Sequence, residues 1–551
     1  MVGLRGLGVH LRSGILLLTA IQLGACGGSE DDGGGTQQQP GNVTADGGAD
    51  AGSGDAGSAG GNLGPVSADG LTVAIKSGKI KGKLEGNTRE FLGIPYGKAE
   101  RFAPSAPADS WTNERDATKH GAPCLQAMSA LSPMGAEFSD DCLTVNVYAP
   151  NPAPSAGLPV YVFIHGGAFT SGGSAQYDAK KLSEGGPLVA VTLNYRLGPF
   201  GFLSHPDLDA KRNGVPSGND GIRDQQLALR WIQENIAAFG GDPKKVTITG
   251  ESAGAMSACL HMVSPSSREL GPQFVLQSGV CTQGASILKS RADSDTIGKA
   301  LVTQLCAGQP DILACLRGKP VQEVASFNAT AGLTGAGWAP VYAANDPILP
   351  DHPKKLIDAG NYNKGNVILG SNAREWGLFQ RLGSPSPADE TALNAAIDMA
   401  LGATLGAGAP LVKMHYKPAM PADANPNFIR LMTDSAFRCA ARSFARLVSS
   451  KGSKVWLYSF EQGDAFHAYE IPYVFGNSNV LLAPMLDAPT VATVQGYWSK
   501  FVVSGDPNGK VQPTWPQYDA TSDQHVTLQS ASAVGSNLSK ADCDFWDSLG
   551  G

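Results

Sequence analysis

Val246-Thr247-Ile248-Thr249-Gly250-Glu251-Ser252-Ala253-Gly254 decides how the rest of this chain is read. Four residues with strand character run into a G-x-S-x-G pentapeptide, and Ala253 to Val263 then reads as a helix. The two glycines allow a sharp strand-to-helix turn that lifts a serine hydroxyl out of a sheet. The pentapeptide alone is weak evidence. With 69 glycines in the chain, chance predicts roughly 0.7 such matches. The strand–turn–helix setting is what sets Ser252 apart from a buried turn serine and makes it a candidate nucleophile.

Working outward, apolar runs rich in Val and Ile alternate with helical patterns. Strands are expected at Val160 to Ile164, Leu188 to Asn194, Val246 to Thr249, Phe274 to Gln277, Val367 to Leu369 and Val455 to Phe460. Between the second and third, Gly221 to Phe239 carries Ile222, Leu227, Leu229, Trp231, Ile232 and Ile236 at mixed helical spacings, an amphipathic helix packed on that sheet. This alternation is the mark of an α/β chain with a mostly parallel sheet covered by helices. Residues 285 to 345 and 385 to 440 read as helical or irregular insertions. There is no internal repeat of the solenoid kind.

Two longer stretches carry a family resemblance. Phe239-Gly240-Gly241-Asp242-Pro243 through Gly250-Glu251-Ser252-Ala253-Gly254 resembles the nucleophile signature of the type-B carboxylesterase/cholinesterase family. Asp141-Cys142-Leu143-Thr144-Val145-Asn146-Val147-Tyr148-Ala149-Pro150 resembles its second signature, and Phe91 to Tyr96 its N-terminal segment. The resemblance runs from about residue 70 to the C-terminus. It implies an α/β-hydrolase fold whose helical insertions form the pocket. It also implies a serine hydrolase that cleaves carboxylic esters through an acyl-enzyme intermediate, on a small-molecule ester substrate and without cofactor.

The remaining chemistry follows from what ester cleavage requires. Attack builds negative charge on the carbonyl oxygen, and donors already aimed there contribute a few kcal/mol, roughly 10²–10³ in rate for each. His165-Gly166-Gly167-Ala168-Phe169 follows a strand and resembles the family's His-Gly-Gly-Gly turn. The match places oxyanion donors at Gly167 and Ala168, with Ala253 as the third; the alternative is a plain glycine turn. Ala168 stands where a third glycine is usual, and its methyl is expected to narrow the space for bulky alcohol groups.

A hydroxyl needs a base that works near neutral pH, for which histidine suits best. Of nine histidines, His467 lies in a loop after the late strand Val455 to Phe460. The segment Phe466-His467-Ala468-Tyr469-Glu470 resembles the family's histidine motif. The imidazole needs a carboxylate to fix its tautomer. Gly370-Ser371-Asn372-Ala373-Arg374-Glu375 matches the family's acid loop, with Asp464, Glu470 and Asp346 as rival acids. Trp376 replaces the glycine usual after that Glu, which leaves the local turn open. Glu251 has two readings, a carboxylate that holds pocket water or charge and one that merely starts a helix.

Length and composition bound the rest. The 551 residues are 42% hydrophobic, ample for a large core, and with a net charge of −7 the chain is too acidic overall to suggest a nucleic-acid partner. Residues 1–25 read as a signal segment: Arg5 and Arg12 precede the short apolar stretch Ile15 to Leu23. Leu23-Gly24-Ala25-Cys26 resembles a bacterial lipobox, which implies cleavage before Cys26 and lipidation of its sulfur; an ordinary secretory signal is the alternative. Residues 26–65, nearly all Gly, Ala, Asp, Ser and Gln, cannot bury enough surface to offset their ordering entropy and read as a flexible tether. The globular domain is then 66–551, exported and held at a membrane through Cys26. The oligomeric state is open.

Nine cysteines suit an oxidising compartment. With Cys26 lipidated, eight remain, and spacing alone leaves 105 connectivities. No His/Cys cluster has metal-ligand spacing, so no metal is expected. The family resemblance implies the pairs Cys124–Cys142, Cys306–Cys315 and Cys439–Cys543, leaving Cys259 and Cys281 with a fourth bridge open to them. The loop Leu125 to Asp141 contains no tryptophan. Cholinesterases hold a quaternary ammonium with a tryptophan in this loop, so choline esters are poor candidates. Two other functions stay open: cleavage of an amide or lactone, and a non-catalytic binding module of the same fold, against which the presence of Ser252, Glu375 and His467 argues.

Overall fold

The computed structural model describes residues 64–65, 67–154, 157–282, 288–327, 337–478 and 485–549. The expected signal segment, Cys26 and the tether as far as residue 63 lie outside them. Gly64 and Pro65 already pair with Ala74 and Val73, just ahead of the expected domain start at residue 66.

An 11-stranded sheet organises these residues. In chain order its strands are β1 (Lys83–Glu85), β2 (Thr88–Pro95), β3 (Thr144–Pro150), β4 (Leu158–Ile164), β5 (Val189–Leu193), β6 (Gly241–Glu251), β7 (Gln273–Gln277), β8 (Asn366–Asn372), β9 (Val455–Phe460), β10 (Gln524–Leu528) and β11 (Ala533–Ser536). They lie side by side as β11-β10-β9-β8-β7-β6-β4-β5-β3-β2-β1. From β5 to β10 every neighbouring pair is parallel, and the strands at both edges are antiparallel. All six expected strands are present in the parallel block. The runs read only as family signatures, around residues 91–96 and 141–150, form the antiparallel β2 and β3.

Strand alternation builds a core on each face. In β4, Val160, Val162 and Ile164 enter one cluster while Tyr161 and Phe163 enter the other. The first cluster is covered by helices α1 (Asp220–Asn235) and α2 (Ala253–Val263), through Ile222, Leu229 and Ile232 and through Ala255, Cys259 and Met262. The second lies under a late helix, Ala488–Ser504, which contributes Val494, Trp498 and Phe501. Burial on both faces explains why these strands read as continuous apolar runs.

The expected insertions are helical. The first holds α3 (Arg291–Cys306), α4 (Ile312–Gly318) and α5 (Val321–Ala325). After a short α6 (Trp376–Arg381), the second holds α7 (Glu390–Leu405), α8 (Ala409–His415) and α9 (Ala424–Thr433). These pack on a third cluster around Trp376, Leu393, Ile397 and Phe428. A π-helical turn, Asp434–Arg438, joins α9 to α10 (Cys439–Ser450).

The three implied disulfides are formed, and Cys259–Cys281 is a fourth. Four bridges fit an exported protein. Among the described residues no helix is long and apolar enough to cross a membrane. Cys439–Cys543 ties α10 to the terminal helix α12 (Lys540–Ser548, α11 being Ala488–Ser504) across a separation of 104 residues. Arg442–Asp544 and Arg446–Asp547 ion pairs, each 3.1 Å, join the same helices. Arg446–Asp547 is exposed, and such a pair contributes about 0–1 kcal/mol, while Arg442 is buried against a half-exposed Asp544; closing a loop of this length is worth about 5 kcal/mol. Replacing both Cys439 and Cys543 with serine should therefore lower the unfolding free energy by roughly 5 kcal/mol in urea titrations; a loss below about 1 kcal/mol would put the ion pairs in charge.

Candidate active site

The parallel strands end together on one edge. Ile164 of β4 is in register with Gly250 of β6, Gly250 with Leu276 of β7, Leu276 with Leu369 of β8, and Leu369 with Leu457 of β9. The loops that follow these ends carry His165 to Phe169, Ser252, Glu375 and His467. Ligands of open α/β sheets bind at this carboxyl edge.

Ser252 occupies the reversal between β6 and α2 with φ 57° and ψ −123°, a left-handed region that costs an ordinary residue about 1–3 kcal/mol. Its amide donates to the Gln277 carbonyl at 2.9 Å and its carbonyl accepts from Met256 at 3.0 Å, which hold the turn. Although it stands at the helix N-cap, its side chain caps nothing. The flanking glycines are required by space: a Cβ at Gly254 would run into the Ile164 carbonyl, and one at Gly250 into the Gly254 backbone.

The turn after β4 comes down beside this serine. A Cβ at Gly166 would lie 2.8 Å from Glu251 Oε2 and 3.1 Å from Ser252 Cβ. Gly167 (φ 104°) and Ala168 (φ 54°) both take positive φ, so alanine sits here in a conformation that glycine adopts more easily. The N–H groups of Gly167, Ala168 and Ala253 have no protein acceptor among the described residues, and all three residues line one cavity with Ser252. Gln126 pins the Leu125–Asp141 loop to this turn, donating to the Gly172 carbonyl at 2.8 Å and accepting from its amide at 2.9 Å.

His467 and Glu375 meet. Nδ1 of His467 is 2.7 Å from Glu375 Oε2, and the His467 amide donates to the Glu375 carbonyl at 3.2 Å. Oε1 of Glu375 accepts from the Asn372 amide at 2.6 Å. Trp376, in place of the usual glycine, opens α6, with its indole donating to Ser384 Oγ at 2.9 Å. The rival acids are engaged elsewhere. Asp464 pairs with Arg381 at the surface, Asp346 accepts from Asn219, and Glu470 accepts from Asn372 and Gln277.

Ser252 and His467 line a common small cavity, without a hydrogen bond between them. His467 Nε2 instead stands 3.1 Å from Glu251 Oε1, which is off the line needed for a hydrogen bond and leaves that oxygen otherwise unpartnered. The helix-start reading of Glu251 is therefore incomplete, because its carboxylate faces the imidazole.

The model of the Carboxylesterase family matches residues 69–546. This chain belongs to the carboxylesterase family. Para-nitrobenzyl esterase of Bacillus subtilis (strain 168) is 34% identical over 481 residues, covering 83% of this chain and 94% of the relative. Cocaine esterase of Homo sapiens is 31% identical over 512 residues, covering 85% and 88%. The protein is accordingly a carboxylic-ester hydrolase with the α/β-hydrolase fold.

Two phenyl rings missed in the sequence hold this carboxylesterase's imidazole. Phe379 and Phe437 have ring centroids 5.0 and 4.9 Å from that of His467. Phe379 follows the acid loop on α6. Phe437 comes from the π-helical turn, whose Arg438 donates to the Ala373 carbonyl at 2.8 Å and so ties the turn to the acid loop. A one-residue helical widening leaves no periodicity signal, so nothing in the sequence marks Phe437.

Burial works against a charge on His467, but the facing carboxylates Glu251, Glu375 and Glu470 outweigh it and raise the imidazole to about 9. Burial pushes Glu251 up to about 8, with Glu470 and Glu375 adding to the rise and His467 opposing it. His165, buried and stacked on Tyr195, is lowered to about 4 by burial and stays neutral. Because Glu251 favours the charged imidazole, Glu251→Gln should move the His467 titration midpoint down from about 9 in NMR pH titrations. An unmoved midpoint would assign the rise to the other carboxylates.

Proposed function

We propose that the protein hydrolyses carboxylic esters with Ser252 as nucleophile, His467 as general base and acid, and Glu375 as the carboxylate that orients it. The observation that carries this reading is the 2.7 Å contact of His467 Nδ1 with Glu375, in a cavity shared with Ser252 at its strand-to-helix reversal. Ser252 Oγ bonds to the ester carbonyl carbon as its proton passes to His467 Nε2. The carbonyl oxygen takes the negative charge opposite the N–H groups of Gly167, Ala168 and Ala253. The bond to the alcohol oxygen then breaks, and His467 returns the proton to that oxygen. Water repeats the sequence on the acyl-enzyme and releases the acid. Hydrogen bonds of this kind are often long before substrate binds, consistent with an imidazole that rests against Glu251.

p-Nitrophenyl acetate tests the nucleophile, since its leaving group is stable as an anion. Ser252→Ala and His467→Ala should each lower kcat by at least about 10³-fold, and Glu375→Gln by roughly 10²–10⁴-fold. Equal rates for Ser252→Ala and the wild type would remove Ser252 from the reaction.

The same proposal includes the N-terminus. We infer that residues 1–25 are a signal peptide, that Cys26 carries lipid, and that the residues from Cys26 up to the strand at Gly64–Pro65 tether the enzyme to a membrane. One acyl chain binds a membrane only marginally, so a stable anchor needs more than one; a diacylglycerol on Cys26 would meet that need. Replacing Cys26 with serine should move the enzyme from the membrane fraction to the soluble fraction on cell fractionation; retention in the membrane would rule out Cys26 as the anchor.

A further inference from the structure

We infer that the preferred substrate joins a bulky, uncharged, apolar acyl group to a small alcohol of one or two carbons; this rests on the roles proposed above for Ser252 and His467. Two cavities meet at Ser252, Gly167 and Ala168, one of about 410 Å³ and one of about 40 Å³. An ester bound at Ser252 must put its acyl part in one and its alcohol part in the other. The reaction decides which. The acyl carbon stays bonded to Ser252 Oγ, while the departing alcohol oxygen has to collect a proton from His467 Nε2. His467 lines only the small lobe. The alcohol therefore belongs there, and the acyl group in the large lobe.

The walls set the chemistry of each part. Phe200, Phe327, Trp338, Phe379, Phe437 and Met256 line the large lobe, and no Asp, Glu, Lys, Arg or His appears among its described lining residues. A charged acyl group would lose its hydration there with nothing to replace it. Six large apolar side chains suit a polycyclic or branched hydrocarbon acid. The small lobe is lined by Tyr177, Leu378 and Ile471, with Glu251 and His467 beside them. Its 40 Å³ takes about three waters, at about 10–15 Å³ for each, or a methyl or ethyl group. Leu131 borders both lobes, on the loop that Gln126 clamps to Gly172, so the partition between them is held by hydrogen bonds.

Two isomeric esters test this, methyl 1-naphthylacetate and 1-naphthylmethyl acetate, which contain the same atoms with the ester reversed. Acid release is followed at constant pH with the full-length wild-type protein, and each kcat/KM is divided by that ester's rate with hydroxide. The methyl ester should be preferred at least tenfold. Equal values, a preference for the acetate, or turnover of neither isomer would overturn the assignment of the lobes. Ser252→Ala is run beside both. Loss of turnover keeps the proposed nucleophile whatever the isomer ratio, while retained turnover overturns that reading instead, so the two failures are told apart.

Discussion

The reversal of the backbone at Ser252 is the constraint on which the site depends. A strand becomes a helix across a single residue at φ 57°, and this is sterically open only because Gly250 and Gly254 lack a Cβ. Gly254 also packs against the end of β4, which brings the His165–Phe169 turn down onto the same point. The hydroxyl, the amide of Ala253 and the amides of Gly167 and Ala168 thus gather in one place as a consequence of strand-end packing. The strain of about 1–3 kcal/mol at this residue is offset by a reversal held on both sides, by the Gln277 carbonyl before it and the Met256 amide after it.

Around that point the protein buries three carboxylates and an imidazole. Ionised groups out of water are tolerated only when paired and hydrogen-bonded, and each carboxylate meets this differently. Glu375 is held by the Asn372 amide and by His467, while Glu470 is held by Asn372 and Gln277 side chains. Glu251 has the fewest partners, and burial raises it to about 8. Negative charge facing the imidazole favours its protonated form, against the burial to which the two packed phenyl rings contribute. In the reaction proposed above, that is the form the imidazole passes through.

Two layers of packing meet at the edge of the sheet. The parallel block supplies a rigid row of strand ends, and the helical insertions supply walls. Phe327 and Trp338 come from the first insertion; Phe437 comes from the π-helical turn after the second. The scaffold therefore sets where the reacting groups stand, while the insertions and the clamped Leu125–Asp141 loop set the shape of the space around them.

The sequence by itself determined the class of fold and the candidate residues one at a time. Apolar runs buried on both faces marked the parallel strands, and the spacing of Gly250, Ser252 and Gly254 after a strand marked the turn, because both are local consequences of backbone geometry. His467 and Glu375 were legible from their motifs after late strands. Only the tertiary structure decided what no local pattern encodes: that the edge strands run antiparallel, that Cys259 bridges Cys281, that Glu251 turns toward the imidazole, and that Phe437 reaches it through a widened helical turn. It also decided that the space beside Ser252 divides into unequal lobes. Such features arise from contacts between residues in some cases more than two hundred positions apart, as with Glu251 and His467, whose distances are set by the packing of whole elements and leave no periodic trace in the chain.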